Sequence, residues 1–299
     1  MTHNFYYLVV DIVLVLLQLI VIVSNGFILF LFTRVKRLRQ NFSRHLVVLL
    51  TITDFVHAVA TLPYTIYLVI SWDPVYLSLS SHYVMVSSIP VMIQLKISLT
   101  LTISVAVERI LALYFPVGCC NLSIPSYALF SLLFGFLLGV LDVILEFSLT
   151  RPSSTLNCSG IGCFLDETFR CYWGISNMVM GIVVIVLMIL ILIKQRVLRL
   201  KPQHLRANRR SIGILLMSLV SVALPSVGAG LAKAIGLHVF NDIGPLFIAG
   251  LLCAGACNSF ICLALNKEMQ EAARRFITCD RSSFPLVAIT IKVLSTVGK

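Results

Sequence analysis

Charge is what this 299-residue chain has least of. Only 12% of its residues are charged against 59% hydrophobic, and its mean hydropathy is +1.00. A soluble globular domain needs far more polar surface than that. Acidic residues are the scarcest, 12 against 23 lysines and arginines. The six histidines are scattered, with no spacing that would hold zinc. The chain has no His-Glu-x-x-His motif, no nucleophile elbow, no phosphate-binding glycine loop and no paired carboxylates on facing surfaces, so it is expected not to be an enzyme. Soluble domains, internal repeats and hinge linkers are missing too. The net charge of +11 accompanies no nucleic-acid-binding motif, so nucleic acid is not an expected partner.

What the chain has instead is apolar runs. Crossing hydrocarbon takes about 20 residues of helix. Seven segments qualify: 6–33, 46–70, 83–115, 127–148, 172–193, 211–235 and 243–265. Backbone in lipid must satisfy its own hydrogen bonds, so each reads as a helix. The expected fold is an all-α membrane protein, a seven-transmembrane helix bundle. The third run is longer than a perpendicular crossing needs, which marks it as tilted or central. The first is too long for a signal-peptide core, and Met1–Phe5 offers neither a basic start nor a cleavage site, so it reads as a retained anchor.

The basic residues fix the direction of threading. Five fall between Arg34 and Arg44, seven between Lys194 and Arg210, and six between Lys267 and Lys299, all on one side of the bilayer. Basic side chains resist translocation, so this side is cytoplasmic and the N-terminus is outside. Anionic lipid headgroups are the first partner of such patches. The second inner loop, 117–126, carries no charge and can offer a partner only apolar contacts such as Val117 and Leu122.

The longest outer loop, 149–171, holds Cys158, Cys163 and Cys171, which allow three single pairings with one thiol left over. It also holds a glycosylation sequon at Asn157. After the last span, 266–277 places Met269, Ala273 and Phe276 near one stripe, with Lys267, Gln270, Glu271 and Arg274 opposite. That pattern predicts a short amphipathic eighth helix on the inner leaflet. Cys279 beyond it is either a palmitoylation site or a free thiol. The transmembrane domain is expected over 1–279 and a cytoplasmic tail over 280–299, whose stretch 284–297 is apolar but too short to cross.

Polar residues inside the spans carry the functional information, since an ionisable group in hydrocarbon costs several kcal/mol. Asn25, Asp54 and Asn258 form one set, suited either to a sodium ion or to hydrogen-bonding between helices. Lys96 lies 13 residues before Arg109, hence about 20 Å further toward the outside. Asp142 and Glu146 stand four apart on one face at a similar depth. Lys96 therefore either pairs with one of them, locking two helices together, or meets an acidic ligand with Gln94 nearby. Cys253, Cys257 and Cys262 read as a packing stripe.

These pieces together resemble the rhodopsin-like G-protein-coupled receptors, over roughly residues 6–277. Asn25-Gly26 resembles the first-helix signature in reversed order, and Asp54 the second-helix aspartate. Glu108-Arg109-Ile110 resembles the Asp/Glu-Arg-Tyr motif, with Pro116 at the expected distance. Pro225 resembles the sixth-helix kink, and Asn258-Ser259-Phe260-Ile261-Cys262 a degraded Asn-Pro-x-x-Tyr. The departures are also specific. Val84 stands where most such receptors have a cysteine, and Val222-Ala223-Leu224 lacks the sixth-helix tryptophan. With SLTLTISVAVERILALYFPV and FRCYWGISNMVMGIVVIVLMILILIK, the chain is most similar to the nematode serpentine chemoreceptors of class BC.

That resemblance implies a chemosensory receptor for a small-molecule cue at the plasma membrane, on sensory cilia, signalling through a heterotrimeric G protein. Whether a second receptor subunit takes part stays open. Arg109 is implied to be held by a carboxylate at rest and released to a partner when the sixth helix swings about Pro225. An opsin is excluded, because the seventh span has no lysine. A ligand-gated channel or a small-solute transporter is the competing function. Seven unequal spans without repeat symmetry argue against a transporter, and the basic bias opposes the inside N-terminus of insect-type odorant channels.

Overall fold

A computed structural model of the chain describes residues 2–34, 45–73, 79–114, 124–150, 161–198, 212–235 and 240–277. Pro116, Asn157, Cys158, Cys279 and the tail 280–299 lie outside the described residues. Seven helical spans long and apolar enough to cross a membrane are present, with no strand among the described residues. The protein is a multi-pass, all-α membrane protein.

The first span is Thr2–Arg34, the third Ser81–Tyr114, the fourth Ile124–Leu149, the fifth Glu167–Leu198 and the seventh Phe240–Leu265. A short helix, Lys267–Ile277, follows the seventh. It buries Met269 and Ala273, while its Phe276 ring meets Phe27 and Phe30 of the first span at 6.1 and 5.3 Å.

Two spans are irregular where the sequence reading drew them continuous. The second is split into His45–Ala60 and Leu62–Ile70. Pro63 has no N–H to give to the carbonyl of Val59, so the backbone ladder is interrupted there. The break is stapled from the first span. Gln18 Nε2 donates to Thr61 Oγ1 at 2.8 Å, and Thr65 Oγ1 donates to Gln18 Oε1 at 2.6 Å. The sixth span runs through 212–218, a π-helical stretch Leu219–Ala223, and Leu224–Ala234. Pro225 would press its ring on the Ser221 carbonyl in a regular helix; the wider turn relieves that clash.

The third span is the axis of the bundle: 78% of its most apolar stretch is buried, against 22% for the first span. Around it the fourth span turns Leu133, Leu137, Leu141 and Ile144 outward, the arrangement hydrocarbon requires. Its inner face instead carries Gly135 and Gly139, four residues apart. A methyl on Gly139 would sit 2.8 Å from Ile93 Cα, and one on Gly135 3.0 Å from Ile97 Cα. The two backbones therefore approach through a Gly-x-x-x-Gly seam, where close packing replaces a hydrophobic driving force that lipid cannot supply. Replacing Gly139 with Ala must push the third and fourth spans apart. The expected cost is about 1–3 kcal/mol, read as a lower unfolding temperature in purified receptor; an unchanged temperature would contradict the close approach.

Candidate functional site

Because successive helical residues turn about 100°, Gln94 and Lys96 leave the third span on nearly opposite sides. Each enters a separate buried polar group.

On one side, Lys96 is 1% exposed and its Nζ lies 3.3 Å from Asp142 Oδ2 of the fourth span. The same ammonium donates to Ser176 Oγ of the fifth span at 2.7 Å. Tyr172, one turn before Ser176, donates its hydroxyl to Asp142 Oδ1 at 3.1 Å. Three spans are thus joined by one ammonium and one carboxylate. Glu146 completes this side. It is fully buried, and neither carboxyl oxygen has a hydrogen-bond partner.

On the other side, Gln94 Nε2 donates to Asp54 Oδ1 at 3.1 Å, and Asn258 Nδ2 donates to Asp54 Oδ2 at 3.3 Å. Asn25 does not touch the carboxylate. Its amide donates to the carbonyls of Val21 and Gly255, tying the first span to the seventh. The set Asn25–Asp54–Asn258 is therefore gathered at one level, with Gln94 as a fourth member that the sequence reading had grouped with Lys96. The side-chain oxygens of Asn25 and Asn258 are buried without a partner. Their chemistry suits a hard cation or water.

At the far end of the third span, Arg109 lies 3.3 Å from the Glu108 carboxylate, both side chains largely but not wholly covered. Nearby, Lys194 of the fifth span sits 4.3 Å over the Tyr114 ring. The sixth span stands apart from all of these. Ser226 bonds only back to Val222 O, and Ser218 Oγ has no partner. Its contacts are glycine approaches instead: Gly181 of the fifth span against the Ala223 carbonyl, and Gly250 of the seventh against the Ser221 carbonyl, which Pro225 leaves without its helical donor.

The described part of the loop before the fifth span, residues 161–166, packs onto the core of the bundle. A 3₁₀ turn at Ile161–Cys163 leads Phe164 and Leu165 into the same core as Trp173 and Phe247. Asp166 then caps the fifth helix, accepting from the Thr168 N–H at 2.8 Å, and that bond holds its carboxyl below the usual range. Cys163 is disulfide-bonded and Cys171 is free, which removes both pairings that use Cys171. Cys253, Cys257 and Cys262 are free as well, and no metal-binding cluster occurs among the described residues. Val84 is buried in the core, so the usual third-helix bridge has no cysteine to start from.

Sequence reasoning missed Tyr172 and Ser176. Their four-residue spacing matches that of Asp142 and Glu146, and this was the available signal.

Six spans around a charged third helix, closed by a Glu-Arg pair at one end, fit the receptor class to which the motifs pointed. The sequence model described as serpentine type 7TM GPCR chemoreceptor Srbc matches residues 3–268. The chain belongs to that family. No curated protein matches it.

Asp54 is held by two amides, so Gln94→Leu leaves a buried carboxylate oxygen without its donor. We expect a loss of about 1–3 kcal/mol, read as a lower unfolding temperature with the bundle still helical. A variant as stable as the parent would contradict the bond.

Proposed function

We propose that this protein is a chemosensory receptor that binds a small-molecule extracellular cue within its helix bundle and activates a heterotrimeric G protein. The chain sits in the plasma membrane, on a sensory cilium, with its N-terminus outside and its C-terminus in the cytoplasm. The basic patches support that orientation. Glycosylation at Asn157 and palmitoylation at Cys279 fit it. Pairing with a second receptor subunit is compatible with it.

The observation that carries this reading is the Glu108–Arg109 pair at the end of the third span, in a chain of the Srbc chemoreceptor family. At rest Glu108 holds the guanidinium. Activation moves the sixth span, and Arg109 turns to the carbonyl oxygens of its partner. Pro225 and the π-helical stretch support a pivot there. Glycine contacts, with no side-chain hydrogen bond to another span among the described residues, support easy sliding. Pro116 follows the pair in sequence at the distance the family motif has. Lys96, Asp142 and Glu146 form the polar side of the ligand site, while Gln94 is turned to Asp54 instead. Asp54, Asn25 and Asn258 would be the residues to hold a sodium ion or water in the resting state, which would supply positive charge or hydrogen-bond donors to their oxygens.

The test is a cue panel applied to cells expressing the chain, with second messengers as the readout. Arg109→Ala at equal surface density is expected to cut the response at least about tenfold, the scale of a charged hydrogen bond. Ligand-gated current that persists without G protein would favour a channel instead.

A further inference from the structure

The polar group around Lys96 holds two carboxylates and one ammonium. Asp142 takes the ammonium, with Ser176 accepting a second Lys96 donor and Tyr172 donating to the other Asp142 oxygen. Glu146 is left over, fully buried, with both oxygens unpartnered. A carboxyl in that state lacks whatever satisfies it, because an unpaired buried polar group is costly.

Two contacts locate it. Tyr172 bonds to Asp142, and the Asp166 N–H bonds to Thr150 Oγ1 at 3.2 Å. The fourth and fifth spans run in opposite directions, so the midpoints of these two pairs, Glu146 and Phe169, fall at one level. Phe169 is itself fully buried, with its ring 6.3 Å from that of Tyr172. The vicinity thus offers a carboxyl without a partner and aromatic faces, the combination that receives an organic cation. A carboxylate ligand would bring a third negative charge to a group with one ammonium. Lys96, already on Asp142 and Ser176, has one donor left to offer it.

The geometry points to Glu146 as the anchor for a protonated amine: the cue class this site takes is a small organic ammonium, not an acid. This rests on the reading of the bundle as a ligand-binding receptor.

The experiment uses the full-length receptor, purified into nanodiscs, and three probes on one carbon skeleton: hexylamine, hexanoate and hexanol. Hexylamine is expected to raise the unfolding temperature of the parent at neutral pH, with hexanol and hexanoate giving little shift. Glu146→Gln, which keeps size and packing, is expected to weaken the apparent amine affinity about tenfold or more, the scale of one charged hydrogen bond. Glu146→Asp should restore part of it, which guards against a folding defect in the Gln variant. Four results would overturn the assignment: equal shifts from all three probes, a shift from hexanoate alone, an amine shift that survives Glu146→Gln, or no shift except on lowering pH, which makes a proton the sole occupant. Second-messenger output separates the two claims. Glu146-dependent amine binding without signalling would sink the receptor reading and keep the site. Arg109-dependent signalling to the acid, indifferent to Glu146, would do the reverse.

Discussion

Hydrocarbon offers no hydrogen-bond partner, and most of the interior of this protein follows from that. A polar side chain inside a span must be met by another span or stay unmet at a cost of several kcal/mol. The third span answers this constraint on both flanks. Gln94 reaches Asp54 and, through it, the seventh span, while Lys96 reaches Asp142 and the fifth span. The first span joins by Gln18 and Asn25. Polar matching of this kind specifies which helices are neighbours more than it adds stability, since each bond contributes only about 1 kcal/mol in a membrane.

The sixth span is the exception, and the exception has a shape suited to motion. Among the described residues, Ser226 bonds to its own backbone and Ser218 to nothing, and the span meets its neighbours through close glycine approaches and apolar side chains. A helix held by dispersion alone slides more readily than one held by a buried ion pair. The π-helical stretch beside Pro225 adds a place where the ladder of backbone bonds is already interrupted. On the proposed mechanism these features put movement in a span whose described residues make no side-chain hydrogen bond to another span. The fixed and the mobile parts of the bundle then differ by chemistry as well as by position.

The number of spans and the central place of the third were legible because hydropathy and length decide them without tertiary detail. The pairing of Lys96 was legible as one of two readings, since a lysine at that depth demands a carboxylate and two stood four residues apart. What stayed hidden was the rotation of each helix about its own axis. Helical geometry turns Gln94 and Lys96, two residues apart, to opposite sides, but only the packed bundle shows which span each one meets. The break at Thr61 was signalled by Pro63 and the third–fourth seam by Gly135 and Gly139, both present in the sequence and both passed over. The π-helical stretch had no signal beyond Pro225, because a proline alone does not say whether a helix kinks or widens.

The central claim is that Lys96 and Asp142 act as one unit holding three spans together. A double-mutant cycle tests it most directly, with unfolding free energies measured in purified receptor for Lys96→Met, Asp142→Leu and both together. Removing one partner strands the other in an apolar interior, so each single variant is expected to lose about 3–5 kcal/mol. The double variant strands neither and is expected to lose less than the sum of the two. Additive losses, or single variants as stable as the parent, would contradict the account.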